Sequence, residues 1–277
     1  MNGGANLPAS ELAVAIGGFG AIGREIAARL DQGAPGLRLV AVSARDCAKA
    51  EANMAGFRAK VPVLPLDQLA DQADVVVECA PASVFRAIAE PALQAGRIFL
   101  PLSVGALLIH DDLVALAEQT GGRIVVPTGA LLGLDAVRAA AEGEIRSVTM
   151  VTRKPPDGLI GAPHLEGSGI DLSTLETALL VFEGSARDGA KGFPANVNVA
   201  AALSLAGIGP DRTRLQIWAD PNVTRNTHRI TVEADSTRFE MTIENIPTDA
   251  NPRTGKITAL SALAALKGLT STLKVGS

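Results

Sequence analysis

The 277-residue chain contains no tyrosine, one tryptophan and only 3% aromatic residues in all, which leaves little for stacking on nucleic-acid bases. Basic side chains do not fill that gap. Twenty-five Lys and Arg stand against 29 Asp and Glu, giving a formal net charge of -4, and no long basic run stands out. Binding a phosphate backbone needs clustered cations, so nucleic acid is not an expected partner. The two cysteines, Cys47 and Cys79, form no CxxC; both fall on or near predicted sheet segments and read as structural thiols in a reducing cytoplasm. No stretch approaches the roughly 20 uncharged apolar residues that cross a bilayer. The opening MNGGANLPASELAVAIGG lacks a basic n-region and does not read as a signal peptide, so a cytoplasmic location with no membrane partner is expected. No histidine, cysteine and carboxylate cluster has metal-ligand spacing, so no metal is expected, and no GxSxG nucleophile elbow occurs.

What is present is apolar material: 47% hydrophobic residues, 19% charged, and a mean hydropathy of +0.26. At this length two domains around separate cores are expected. The first half alternates strand and helix signals. ELAVAIGG reads as a buried strand and AIGREIAARLDQ as a helix with Ile22, Ile26 and Leu30 on one stripe. LRLVAVSA and ADVVVECAP are further buried strands, and SVFRAIAEPALQAG and DDLVALAEQTGG further helices. That alternation predicts an α/β fold: an N-terminal Rossmann domain with a doubly wound parallel sheet, spanning 1–133.

After about residue 134 the pattern changes to period-two alternation, in IRSVTMVTRK (145–154), RLQIWAD (214–220), HRITVEA (228–234) and RFEMTIENI (238–246). A second α/β domain with a mixed or antiparallel sheet is predicted over 134–250, one face covered by helices at 173–182 and 195–207. A last helix, about 251–277, is expected to return to the first domain.

The motif Gly18-x-Gly20-x-x-Gly23, enclosing Ala21 and Ile22, directly follows a predicted strand and opens a predicted helix. The first glycine permits the tight turn, the second lets backbone approach a pyrophosphate, and the third lets helix and strand pack closely. Free backbone N–H groups and the helix dipole then favour a diphosphate, so a dinucleotide is predicted. The tip of the second strand reads Ser43-Ala44-Arg45-Asp46, with no acid at the strand end for a ribose 2′-OH and Arg45 nearby for a 2′-phosphate. NAD and NADP both remain open.

Of three histidines, His110 reads as a surface or capping residue and His164, in GAPHLEG, as a loop residue that could line a cleft. Alternation places His228 on the face of Ile230 and Val232, opposite Arg229, Thr231 and Glu233. A titratable ring on an apolar face suits acid–base work, and a buried structural histidine would carry the same pattern. Two segments are rich in carboxamides: Asn196 and Asn198 stand at a predicted helix start, where capping is the ordinary alternative, and Asn222 and Asn226 stand just before His228.

Taken in order, GGFGAIG, SVGAL (103–107), PTGALLGLD (127–135), TRKPP (152–156), FPANVNVAAAL (193–203), ADPNVTRNTHRI (219–230) and IENIPTDANPRTG (243–255) resemble the L-aspartate dehydrogenases over almost the whole chain. The resemblance implies a homodimer that oxidises L-aspartate with NAD(P) to iminoaspartate, which water converts to oxaloacetate and ammonia, and the reverse reductive amination. It also implies a possible supply of iminoaspartate to NAD biosynthesis. The histidine of N-x-H-x-I, here His228, is implied as catalytic; Ala130 and Asn198, rather than Asn196, as cofactor contacts. Oxidation needs an unprotonated amine, and a histidine can accept its proton or activate the attacking water. For the two substrate carboxylates and their surroundings, the candidates are Lys154, His164, Asn196 and Asn226, with Arg153 and Lys191 as further cations; Arg229 is discounted because alternation turns it from His228. The competing expectations are a dihydrodipicolinate reductase-like or homoserine dehydrogenase-like enzyme, or a non-catalytic nucleotide-binding protein.

Overall fold

The computed structural model describes residues 11–166, 168–194, 196–248 and 251–276, so the first ten residues of the expected N-terminal domain lie outside it. The first half runs β1 (Leu12–Gly17), α1 (Ala21–Asp31), β2 (Leu37–Ser43), α2 (Cys47–Asn53), α3 (Leu69–Gln72), β3 (Val75–Glu78), α4 (Phe85–Gln94), β4 (Ile98–Pro101), α5 (Val104–Leu107), α6 (Asp112–Thr120) and β5 (Arg123–Ile124). Its strands form one parallel sheet in the order β2-β1-β3-β4-β5. Both faces are covered, which explains the near-continuous Val and Ile of its strands. One face packs Val14, Ile16 and Val75 against Ile26 and Leu30; the other packs Val76 and Phe99 against Phe85, Ile88 and Leu113.

The chain continues through α7 (Leu134–Ala141), β6 (Ile145–Lys154), β7 (Leu179–Ser185), α8 (Ala186–Gly192), α9 (Asn198–Ala206), β8 (Thr213–Ala219), β9 (Thr227–Ala234) and β10 (Arg238–Glu244). The second sheet has the order β10-β9-β6-β8-β7 and is mixed: β6 and β8 are parallel, the other neighbours antiparallel. Val148, Met150, Ile230 and Val232 share one face, buried beneath α7, α8 and α9. A short hairpin, β11 (Pro247–Thr248) and β12 (Asn251–Gly255), then leads to α10 (Ile257–Thr270). Ala259, Ala262, Leu263 and Leu266 of α10 belong to the core of the first sheet, beside α1.

Two sequence expectations fail. The helix expected over 173–182 is a single 3-10 turn at Leu172–Thr174 followed by strand β7. Leu179 to Phe182 form a compact apolar run, and pairing along β8 decides its state over local helical periodicity. The last helix begins at Ile257, because 251–255 pairs as β12. Among the described residues, no helix is long and apolar enough to cross a membrane.

Candidate active site

The C-terminal ends of β1 and β3 meet where strand order reverses, the place where open α/β sheets take ligands. There Gly18 has φ +105°, and a Cβ would stand 2.6 Å from the Cys79 carbonyl oxygen. A Cβ on Gly23 would collide with the Gly18 carbonyl oxygen, whereas nothing lies within 4 Å of one on Gly20. Two glycines are therefore required by the chain's own packing and one faces open space, with Ala21 and Ile22 opening α1 beyond it. This is a cradle shaped for a dinucleotide pyrophosphate, and the residues present fit one. Arg45 is exposed in the adjoining loop after β2, whose Ser43 carbonyl accepts from Gly18 N at 3.1 Å. The neighbouring Asp46 carboxylate accepts from Lys49 N as the cap of α2.

A cleft opens between the two sheets, bordered by Ile22, Cys79, Ala80 and Ser103 on one side and by Lys154, Asn196, Asn226 and His228 on the other. Thr128, Ala130, Asn198, Asn245 and Thr258 complete its polar lining. The two sides are stitched together. Asn198 Oδ1 accepts from Gly105 N at 3.0 Å, and Asn245 Nδ2 donates to the Ala130 carbonyl at 3.2 Å. Neither Asn196 nor Asn198 caps α9, which begins after Val197 without a side-chain cap. Asn196 instead accepts from Lys154 Nζ at 2.8 Å.

Strand alternation delivers Thr152 and Lys154 of β6 and His228 of β9 to the same face as Met150 and Ile230. All three are buried, at 2%, 5% and 2% exposure. Burial pulls the Lys154 ammonium down to about 8. Burial, and then the positive charge of Lys154, bring the His228 imidazole down to about 3, so the ring is neutral at physiological pH. Thr152 Oγ1 lies 3.1 Å from His228 Nδ1. Lys154 is the one cation among the described residues lining the cleft, and no carboxylate partners it there. A buried charge held only by an amide oxygen is costly unless a counter-ion arrives.

Three expected participants lie elsewhere. His164 sits exposed on a 3-10 turn and packs edge-on to Phe182 and against Phe193, both at 5.3 Å between ring centres, away from the cleft. Arg153, one residue out of phase with Lys154, pairs with Asp220 at 3.0 Å and stacks over Trp218 on the opposite face of the sheet. Lys191 is exposed and pairs with Asp188. Arg229 points away as expected, to Glu240.

Sequence reading missed Thr152, Asn245 and Glu78. Thr152 shares the phase of Lys154 in IRSVTMVTRK, which was a usable signal. Glu78 is an acid at the end of the all-apolar strand VVVE, a residue type that needs donors if buried. It is fully buried and accepts from Ala80 N, Ser103 N and Ser103 Oγ, fixing two loops of the cleft floor; burial pushes its carboxyl up. Burial, and then the neighbouring Glu78, push the Cys79 thiol well up, which keeps this cleft cysteine in its unreactive form.

Residues 135–269 match the family model described as aspartate dehydrogenase, C-terminal, and residues 18–127 match that described as homoserine dehydrogenase, NAD binding domain. The chain is 62% identical over 268 residues to an L-aspartate dehydrogenase of Bradyrhizobium diazoefficiens, covering 97% of this chain and 95% of that one. It is 54% identical over 268 residues to L-aspartate dehydrogenase 3 of Bordetella bronchiseptica, covering 96% and 98%. The solved aspartate dehydrogenase of Thermotoga maritima has the same fold, with a TM-score of 0.73 at 24% identity over 96% of this chain and 100% of that one.

Proposed function

The chain belongs to the L-aspartate dehydrogenase family, and from that premise we propose how its residues carry out the reaction. It is an NAD(P)-dependent oxidoreductase that converts L-aspartate to iminoaspartate, and so to oxaloacetate and ammonia, and runs the reverse reductive amination. The observation that carries the assignment of roles is the convergence, in one cleft, of the glycine cradle, a neutral buried imidazole and a buried cation lacking a counter-ion.

Gly18, Gly20, Ala21, Ile22 and Gly23 would hold the pyrophosphate, with Ala130 and Asn198 farther along the cleft and Arg45 at the ribose end. When bound, the dinucleotide supplies the hydride acceptor or donor. Everything else falls to the chain. Lys154 receives a substrate carboxylate, which supplies the missing counter-ion, while Asn196 orients the ammonium and Asn226 offers an amide beside it. His228 faces the reacting carbon and its nitrogen. Burial keeps the His228 ring neutral, and the substrate carboxylate offsets the charge of Lys154 beside it.

Following NAD(P)H absorbance with L-aspartate, and then with oxaloacetate plus ammonia, tests this reading in wild type and His228→Ala. Turnover with aspartate and loss of kcat in the variant are expected. Full kcat without the ring, or turnover of homoserine or dihydrodipicolinate but not aspartate, would overturn it. The face of the second sheet opposite the helices carries Val151, Arg153, Gln216, Trp218 and Thr231 only half-buried, which supports self-association of two chains there. Light scattering of wild type against Trp218→Glu tests it: a dimer that becomes a monomer is expected, and a monomeric wild type refutes it.

A further inference from the structure

We infer that His228 meets its substrate as a neutral hydrogen-bond donor through Nε2–H, and that Thr152 is the positioning residue that fixes this tautomer. Thr152 and His228 are directly opposed in the β6–β9 register, both are buried, and Oγ1 lies 3.1 Å from Nδ1. Two hydrogen arrangements fit that distance. In one, the hydroxyl donates to a bare Nδ1; in the other, Nδ1–H donates to the hydroxyl oxygen.

The second arrangement leaves the hydroxyl proton needing another acceptor. Among the described residues, no other hydrogen bond of the Thr152 hydroxyl is found. A buried donor left without a partner carries its desolvation penalty uncompensated, which selects the first arrangement. The ring proton then resides on Nε2, the nitrogen not engaged by Thr152. Among the described residues, no carboxylate stands beside the ring to favour an imidazolium. The charged group it feels is Lys154, whose sign opposes protonation, and burial acts in the same direction.

A ring already protonated at Nε2 takes up no further proton there. It donates instead to an acceptor: the C2 oxygen of oxaloacetate or the oxygen of its ammonia adduct. A preorganised donor aimed at developing charge in a site shielded from water is a strong catalytic device. It also discriminates against the ammonium form of aspartate, which offers only donors.

The inference rests on His228 being catalytic, and the experiments separate the two. In ¹⁵N spectra of histidine-labelled enzyme, with His228 identified by its loss in His228→Gln, a pyridine-type Nδ1 and a pyrrole-type Nε2 are expected. The opposite pattern overturns the inference. His228→Ala should lower kcat on the order of 10²–10³-fold, as loss of one oxyanion donor does, while His228→Gln, an amide donor with no basic nitrogen, stays within about tenfold of wild type. A glutamine variant as inactive as alanine overturns the donor role; an alanine variant with full kcat overturns the wider reading of His228 instead. Thr152→Ser should retain the spectrum and the rate. Thr152→Asp, which can only accept, should move the proton to Nδ1 and lower kcat by more than about tenfold, since the donor to the reacting oxygen is lost. An unchanged or raised rate in folded Thr152→Asp would show that the ring works as a base. Should that variant fail to fold, the wild-type spectrum and His228→Gln decide the question.

Discussion

On the first-sheet side of the cleft the chain presents mainly backbone: three glycines, the carbonyl of Ala130, and loops held from beneath by Glu78. On the second-sheet side it presents side chains that a strand face would normally exclude, namely Thr152, Lys154 and His228 among Met150, Ile230 and Val232. The contrast follows from what each side must do. A diphosphate is bound well by N–H groups that cost no side-chain ordering, whereas a chemical step needs groups that carry charge or a labile hydrogen. The first side is therefore sensitive to any added atom, and the second to the identity of a few atoms.

The largest effect should come from adding a methyl group on the backbone side. Gly23→Ala is expected to lower NAD(P)H affinity on the order of 100-fold, as an ångström-scale displacement does, and to depress Tm, since its Cβ meets the Gly18 carbonyl. Gly20→Ala should weaken the cofactor while leaving Tm unchanged, because its Cβ enters open space. Fluorescence titration and thermal scans check both; equal effects on Tm would break the contrast.

Next, Lys154→Met should raise the KM for aspartate roughly 100-fold, the scale of losing a buried charged contact. It should nonetheless raise Tm at pH 7. The folded lysine titrates near 8 and the unfolded one near 10.5, so the protonated form is disfavoured in the fold throughout the range below 8. Removing it removes that cost, which a drop in Tm would contradict.

The response to acid is read on stability rather than on affinity. His228 falls from 6.5 unfolded to about 3 folded, so the unfolded chain binds the extra proton between those values. Stability is full above pH 6.5 and declines on acidification towards 3, by up to about 1.4 kcal/mol per pH unit from this group. Urea titrations across that window should show a shallower decline in His228→Gln.

Smallest, and placed where the backbone side does use a side chain, is Arg45→Ala. Asp46 is occupied as a cap, and among the described residues Arg45 has no hydrogen bond or ion pair. NADPH affinity should drop about tenfold, the order of one charge-assisted contact, with NADH little changed. An equal loss for both cofactors would assign Arg45 to the general surface.

The glycine turn, the parallel sheet and the burial of His228 were legible because each depends on local period or on a short motif. The rest depended on register. Thr152 opposes His228 across 76 residues of sequence, and Lys154 finds Asn196 across 42, distances at which no pattern announces a partner. The same limit explains β7: Leu179 to Phe182 take their state from β8, not from their own spacing. His164 was drawn into the site by its loop context, yet two phenylalanine rings hold it outside.

The route of the chain between its two sheets has a mechanical consequence. It leaves the first sheet after β5, through residues 125–133, and after β10 returns to lay α10 beside α1. The bond from Asn245 to Ala130 pins the outgoing and returning connections together. The second sheet is thereby tied to the first at two points of the chain: a break in the outgoing connection leaves it held through α10, and a break in the returning one leaves it held through residues 125–133.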